Sequence, residues 1–384
     1  MKARLLIIFV LIYLYASDNV SGQKAGLNFD NQISTWLGMN YTDRLYWQTG
    51  ARYIPTLSPV LNIGTKSKID AELALNAYGN LLFTEAKYDT ANYGLKPYRL
   101  WLRYSASNLE IRAGLQRITF GSASILRPLM WFDNIDYRDP LQMTEGVYSL
   151  LGRYYFNNNA NIWLWTLYGN KEKKGWEIAP SVSSIPEFGG RFQYPLPKGE
   201  MGLSYHHRKA DYSELYAVNP LVTETDFAEQ LIGLDGKWDI GPGLWFEYVL
   251  KLNDKDNLLL NRWETYYTLG IDYTFAIGNG LTVMSEFFHY SNEIEDEQLR
   301  TTQNFSALSL NYPLFLSHSI SCLVYYNWDA EDWYRLLNLQ LKYDYISLNV
   351  MAFWNPDKLT IFAGEGDSNT FAGKGFQLML IVDI

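Results

Sequence analysis

Two neighbouring stretches of this chain alternate with a period of two. Within 96–106, Tyr98, Leu100, Leu102 and Tyr104 fall on one side of an extended chain and Arg99, Trp101, Arg103 and Ser105 on the other. Within 109–116, Leu109, Ile111, Ala113 and Leu115 oppose Glu110, Arg112, Gly114 and Gln116. Successive side chains of a strand point to opposite faces, so this spacing predicts a sheet with one apolar and one polar face. The pattern returns at 68–78, 200–208, 228–240, 244–252, 266–275, 333–344 and 374–384. Each segment runs about 9–13 residues, enough for a tilted strand to cross a hydrocarbon layer.

A soluble β-sandwich also alternates, but its inner faces make a dry aliphatic core. Here the apolar face carries aromatics toward the strand ends: Tyr98, Tyr104, Trp238, Tyr267, Tyr273, Phe275, Tyr312 and Tyr343. Amphipathic rings settle where acyl chains meet headgroups, which is the pattern of a membrane aromatic belt. The expected fold is an all-β, transmembrane, antiparallel up-and-down barrel. A mean hydropathy of −0.18 fits it, because only every other residue meets lipid.

Taking alternation as strand and clusters of Gly, Pro, Asn and Asp as breaks gives about eighteen strands. Short turns at 105–108, 157–159, 195–198, 241–243, 277–280 and Asp344 alternate with long connections at 119–145, 170–186, 210–226, 253–261, 292–302 and 355–372. Short periplasmic turns against long external loops are the mark of such barrels. The connection near 55–67 reads as long where a short turn is due, which leaves sixteen strands as the alternative. A barrel of about 16–18 strands leaves an aqueous channel.

Lys2 and Arg4 precede an apolar run at 5–15 and then small and polar residues through Val20, Ser21 and Gly22. This predicts a secretory signal over 1–22 and a barrel over 23–384, with cleavage after Ala16 as the other option. The single cysteine, Cys322, excludes an internal disulfide and reads as a small lipid-facing residue. A net charge of −9 argues against nucleic acid as a partner. His206, His207, His289 and His318 are not arranged with a serine or carboxylate as a hydrolase needs, so no enzyme is expected. Without a Cys–His cluster, and with no calcium-loop spacing in the acidic run 293–297, no metal or cofactor is expected either.

If the apolar face meets lipid, the other face lines the lumen. In the first half that set includes Arg99, Trp101, Arg103, Arg112, Gln116, Arg191, His206 and Arg208. Later strands contribute Asp235, Lys237, Asp239, Glu247, Lys251, Asp272 and Glu286, where carboxylates predominate. The reading is of two oppositely charged walls setting up a transverse field. Local ion pairing, for instance of Glu72 or Glu110 with an arginine, is the alternative. Inward aromatics at Trp101, Tyr266, Phe288, Tyr290, Tyr325, Tyr334 and Phe353 offer stacking faces for a sugar. The longest connection, 119–144, is too apolar for a solvated tip: Ile125, Leu126, Leu129, Met130, Trp131, Phe132 and Ile135 need burial. It also carries Arg127, Asp133, Asp136, Arg138 and Asp139. An inward fold that narrows the channel is expected.

The segment IRAGLQRITFGSASILRPLMWFDNIDYRDPLQ, residues 111–142, resembles a stretch of Gram-negative porin-like barrels. In those barrels a strand ending in Gln-Arg-Ile and an aromatic-Gly pair leads into a loop with repeated Pro and Asp. It is similar to the porins of the Bacteroidota outer membrane and, more distantly, to the alginate-export and phosphate-selective porin group. The resemblance implies passive diffusion through a barrel constricted by an internal loop, with Arg99, Arg103, Arg112 and Arg117 contacting the solute. It implies a bacterial outer-membrane location, with membrane lipid, lipopolysaccharide, small hydrophilic solutes and the barrel-assembly machinery as partners. A homo-oligomer stays open. Such barrels commonly end in an aromatic residue, and this chain ends in Ile384. The reading from another class is a non-conducting structural or secretion-partner barrel closed by its own loop.

Overall fold

The computed structural model describes residues 25–384 apart from 86, 217–224, 254–262, 294–299 and 358–370. The expected signal segment 1–22 therefore lies outside the described residues. Eighteen strands follow one another along the chain. They are β1 (Ala25–Tyr41), β2 (Leu45–Ile63), β3 (Ser67–Thr84), β4 (Lys87–Ser105), β5 (Leu109–Gln116) and β6 (Val147–Tyr155). Then come β7 (Asn161–Leu167), β8 (Glu187–Leu196), β9 (Gly199–Asp211), β10 (Asp226–Asp239), β11 (Gly243–Asn253) and β12 (Trp263–Phe275). The last are β13 (Leu281–Glu293), β14 (Arg300–Pro313), β15 (His318–Asn327), β16 (Asp332–Lys342), β17 (Ile346–Trp354) and β18 (Lys374–Asp383).

Each strand pairs antiparallel with its neighbours in sequence, and β18 closes on β1 from Gln32↔Asp383 to Tyr41↔Lys374. Closure is what a spanning sheet requires, since lipid offers its backbone amides no partner. The outward set, among it Leu100, Leu102, Leu150, Leu164, Leu203 and Leu269, is exposed, as is expected of a lipid-facing band. Cys322 lies on this outward set, half-buried beside the inward Leu323.

The connection near 55–67 is shorter than the sequence suggests, and the sixteen-strand alternative falls with it. β2 runs on to Ile63, and the turn is only Gly64, Thr65 and Lys66. Pro55 and Pro59 look like breaks because neither can donate to a ladder. The β1–β2 register is continuous through both, at Asn31↔Pro55 and Leu27↔Pro59. On the β3 side the register passes from Tyr53↔Ala77 to Thr56↔Ala74 and from Leu57↔Leu73 to Val60↔Asp70. The missing N–H groups are thus accommodated on one side only.

A second correction concerns Tyr98. A register shift opposite Ala74 and Leu75 leaves it as the extra residue between Pro97 and Arg99. A bulge of this kind breaks strict alternation, and Tyr98 lies under Arg99, whose guanidinium carbon is 3.9 Å from the ring centroid.

The main apolar core fills the barrel. Inward residues from β6 and β7 (Val147, Leu151, Trp165, Leu167) and from β11 to β18 (Val249, Phe288, Phe305, Leu323, Tyr334, Met351, Phe353, Met379) form one cluster. The 117–146 connection supplies Ile118, Phe120, Ile125, Leu126, Leu129, Trp131 and Phe132 to the same cluster.

Candidate functional site: the lumen and its two loops

The 117–146 connection enters the barrel because its own residues cannot be solvated, and it is tied internally first. Arg127 pairs with Asp133 at 3.1 Å, Thr119 donates to Asp133 at 2.6 Å, and Arg127 also donates to the Phe120 carbonyl at 3.3 Å. Phe120 stacks on the wall residue Trp165 at 5.5 Å and meets Trp131 edge-on at 5.4 Å. Gly121 has φ +104°, and a Cβ there would stand 2.3 Å from Glu247 Oε1, so only glycine lets the backbone come this close to the wall.

Wall carboxylates then hold the loop backbone. Glu247 on β11 accepts from Ala123 N at 2.7 Å and Leu129 N at 2.9 Å. Glu286 on β13 accepts from Ser124 N at 2.7 Å, Ile125 N at 3.0 Å and Leu126 N at 2.6 Å, and from Trp245 Nε1 at 2.9 Å. Thr268 donates to the Leu126 carbonyl at 2.6 Å, and Ser122 to Asp235 at 2.9 Å. The return leg crosses to the far side. Arg138 pairs with Asp136 at 2.8 Å and lies over Phe371. The Thr144 carbonyl accepts from Arg99 at 3.0 Å, and Glu145 pairs with Lys96. Burial lifts the Asp139 carboxyl on this leg above its usual range, against the backbone amides of Leu141 and Met143 that hold it down.

A second loop, 168–186, wedges beside the first. Trp176 stacks on Phe288 at 5.4 Å and donates to the Arg127 carbonyl at 2.7 Å. Gly175 has φ +49°, and a Cβ there would sit 1.6 Å from the Met130 carbonyl oxygen. The loop is anchored by charge: Lys174 to Glu187 at 3.1 Å and Glu177 to Arg208 at 3.0 Å. Burial raises the Glu177 carboxyl in spite of Arg208 and Lys174. His206 accepts from Trp165 through Nδ1 at 3.2 Å, which leaves Nε2–H to donate to Glu187 at 3.1 Å.

These contacts overturn the two facing walls. Arg191 and Asp235, assigned to opposite walls, form a bidentate buried pair at 2.5 and 2.9 Å. Arg208 is held by Glu229 at 2.6 Å, and Lys251 by Glu229 and Glu264 at 3.2 and 3.1 Å. Glu247 and Glu286 are taken up by loop amides. β8 to β12 follow one another round the wall, so residues that looked far apart in sequence neutralise one another on neighbouring strands or, for Arg191 and Asp235, across β9. Likewise Tyr266, Phe288, Tyr325, Tyr334 and Phe353 do not present free stacking faces. All five are at most 7 % exposed, packed against the loops and one another.

A different group along β4, β5 and β6 keeps side chains 14–22 % exposed. Arg103 and Arg112 are cross-strand partners, and Glu110 faces Arg153. Glu110 is shared by Arg112 at 2.9 Å and by Arg103 and Arg153, each at 3.5 Å, while Arg103 also pairs with Asp70. Trp101 lies under Arg112 at 4.7 Å, and Trp163 under Arg153 at 3.8 Å. Nε of Arg112 and of Arg153 are buried without a hydrogen-bond partner. Above them stand Arg99 and Arg52, whose Nη1 reaches the Met143 sulfur at 2.9 Å. Arg117 is exposed just past β5 and donates to Thr119 at 2.9 Å. Asp272 lies apart, against Gly243 near a short turn. Arg52, Arg153 and Trp176 were not singled out in the sequence. Parity would have found the first two, since Arg52 follows inward Gln48 and Arg153 follows inward Val147, Ser149 and Leu151. Nothing in the local pattern marks Trp176.

No family model matches the chain, and no curated protein matches its sequence. Solved structures do match in fold. The anion-selective porin from Comamonas acidovorans is similar over 94% of this chain and 100% of its own, at 13% identity and a TM-score of 0.53. OmpT, an outer membrane protein of Vibrio cholerae in its trimer form, is similar over 94% and 98%, at 9% identity and a TM-score of 0.51. The chain has the closed antiparallel barrel fold of the outer-membrane porins.

Proposed function

We propose that the protein is a passive channel of a bacterial outer membrane that admits small hydrophilic solutes, anions before cations, past the 117–146 loop. The reading takes residues 1–22 as the export signal, the barrel-assembly machinery as the route of insertion, and segment 111–142 as porin-like of the Bacteroidota kind. The observation that carries it is the partly exposed cluster of Arg103, Arg112 and Arg153 around Glu110. There Lys68 and three guanidinium groups face three carboxylates, Asp70, Glu72 and Glu110. Arg99, Arg52 and Arg117 extend the positive line toward the loop's return leg. A surplus of fixed positive charge in a narrow aqueous path favours anions. The anion-selective description of one fold neighbour points the same way.

Neutral sugars fit less well, because the inward aromatics are packed away. The test is the reversal potential of the refolded protein in a planar bilayer under a salt gradient. An anion-directed potential supports the proposal, and a cation-directed one refutes the preference. A non-conducting barrel is the second reading. It is favoured by the loop's contacts on β2, β4, β7 and β9 to β13, which reach across much of the lumen.

A further inference from the structure

Ser124, Ile125 and Leu126 turn three consecutive backbone N–H groups toward one point, and the Glu286 carboxylate occupies it at 2.7, 3.0 and 2.6 Å. Successive amides converging in this way make an anion-binding concavity. Every donor to Glu286 is neutral, the fourth being the Trp245 indole at 2.9 Å. No lysine or arginine forms an ion pair with it among the described residues, although Glu229, Asp235 and Glu264 on nearby strands all have such partners. The side chain is 1 % exposed. A carboxylate desolvated to this degree is tolerated only where several donors replace its water. Two residues further along the same face of β13, Phe288 carries Trp176, which fixes the next carbonyl of the loop, that of Arg127. Residues 124–127 are therefore gripped through their backbone in addition to the packing of Ile125 and Leu126 and the side-chain pairing of Arg127.

We propose that Glu286 is the positioning residue of the 117–146 loop, acting as a built-in anion in a three-amide nest, and that a small exogenous carboxylate takes its place when the side chain is removed. That the loop so placed narrows a channel rests on the proposed function; the nest itself does not. The nest distinguishes this contact from ordinary packing, because a vacated nest retains affinity for a free anion of matching shape.

The test is amide hydrogen exchange on the full refolded chain in detergent, with Glu286→Ala and Glu286→Gln beside the wild type and folding checked by heat-modifiable gel mobility. Exchange at 124–126 is expected to rise about tenfold or more in Glu286→Ala, with the strand amides unchanged. Added formate is expected to restore protection in Glu286→Ala. It should do nothing in Glu286→Gln, whose side chain still fills the space. Wild-type protection in both variants overturns the positioning role, and so does uniform loosening of the whole barrel. Faster exchange that formate leaves untouched overturns the nest. Unitary conductance recorded in parallel separates the two readings: a silent wild type refutes the channel, while the exchange data still decide on Glu286.

Discussion

Replacing Arg112 and Arg153 together with glutamine should invert the ion preference of the channel. Around Glu110 the wild type sets Lys68, Arg103, Arg112 and Arg153 against Asp70, Glu72 and Glu110, a surplus of one positive charge. The double variant leaves Lys68 and Arg103 against the same three carboxylates, a surplus of one negative charge. A unit charge about 6 Å from a passing ion in an aqueous lumen contributes ~0.7 kcal/mol. Two such changes come to ~1.4 kcal/mol for each ion and act with opposite sign on anion and cation, so the anion-to-cation ratio shifts by ~2.8 kcal/mol, or about a hundredfold. Glutamine keeps much of the side-chain bulk over Trp101 and Trp163, so the path changes in charge more than in width. The assay is the reversal potential in a bilayer at low ionic strength, where screening is weakest. A change of sign with a similar unitary conductance is predicted. A reversal potential that does not move would place the conducting path elsewhere and refute the reasoning.

Three further outcomes follow from the same geometry. Glu110→Gln removes the carboxylate shared by three arginines and should raise the anion-to-cation ratio by about tenfold in the same measurement. Leu126→Ala, at a side chain 1 % exposed between loop and wall, should cost about 2–5 kcal/mol of stability, read as a lower midpoint in thermal unfolding followed by circular dichroism. Gly175→Ala places a Cβ against the Met130 carbonyl at a positive φ. It should push the two loops apart and speed amide exchange over 127–131, while the β-sheet signal stays unchanged.

Much of this architecture is legible in the chain because parity and burial are the same fact in a barrel. Leu102 and Arg103 differ in environment through one backbone step, so alternation alone assigns them to lipid and lumen. It fails where the backbone departs from a simple pleat: at Tyr98, displaced by a bulge, and at Pro55 and Pro59, which a neighbouring strand accommodates. The inward turn of 117–146 was readable from its apolar residues, which have nowhere else to go. What alternation cannot supply is the pairing around the wall. Arg191 and Asp235 are separated by one strand, β9, and many residues, and only the register shows that they meet. Trp176 is invisible for the same reason, since it acts through a loop with no periodicity.

The central claim is that a conducting path passes the 117–146 loop. The most direct test is the unitary conductance of the refolded wild type beside a variant lacking 121–143. A small, steady, anion-preferring conductance is expected in the wild type and a several-fold larger one in the deletion. Silence from both, with the barrel shown to be folded and inserted, would contradict that claim and leave a closed structural barrel.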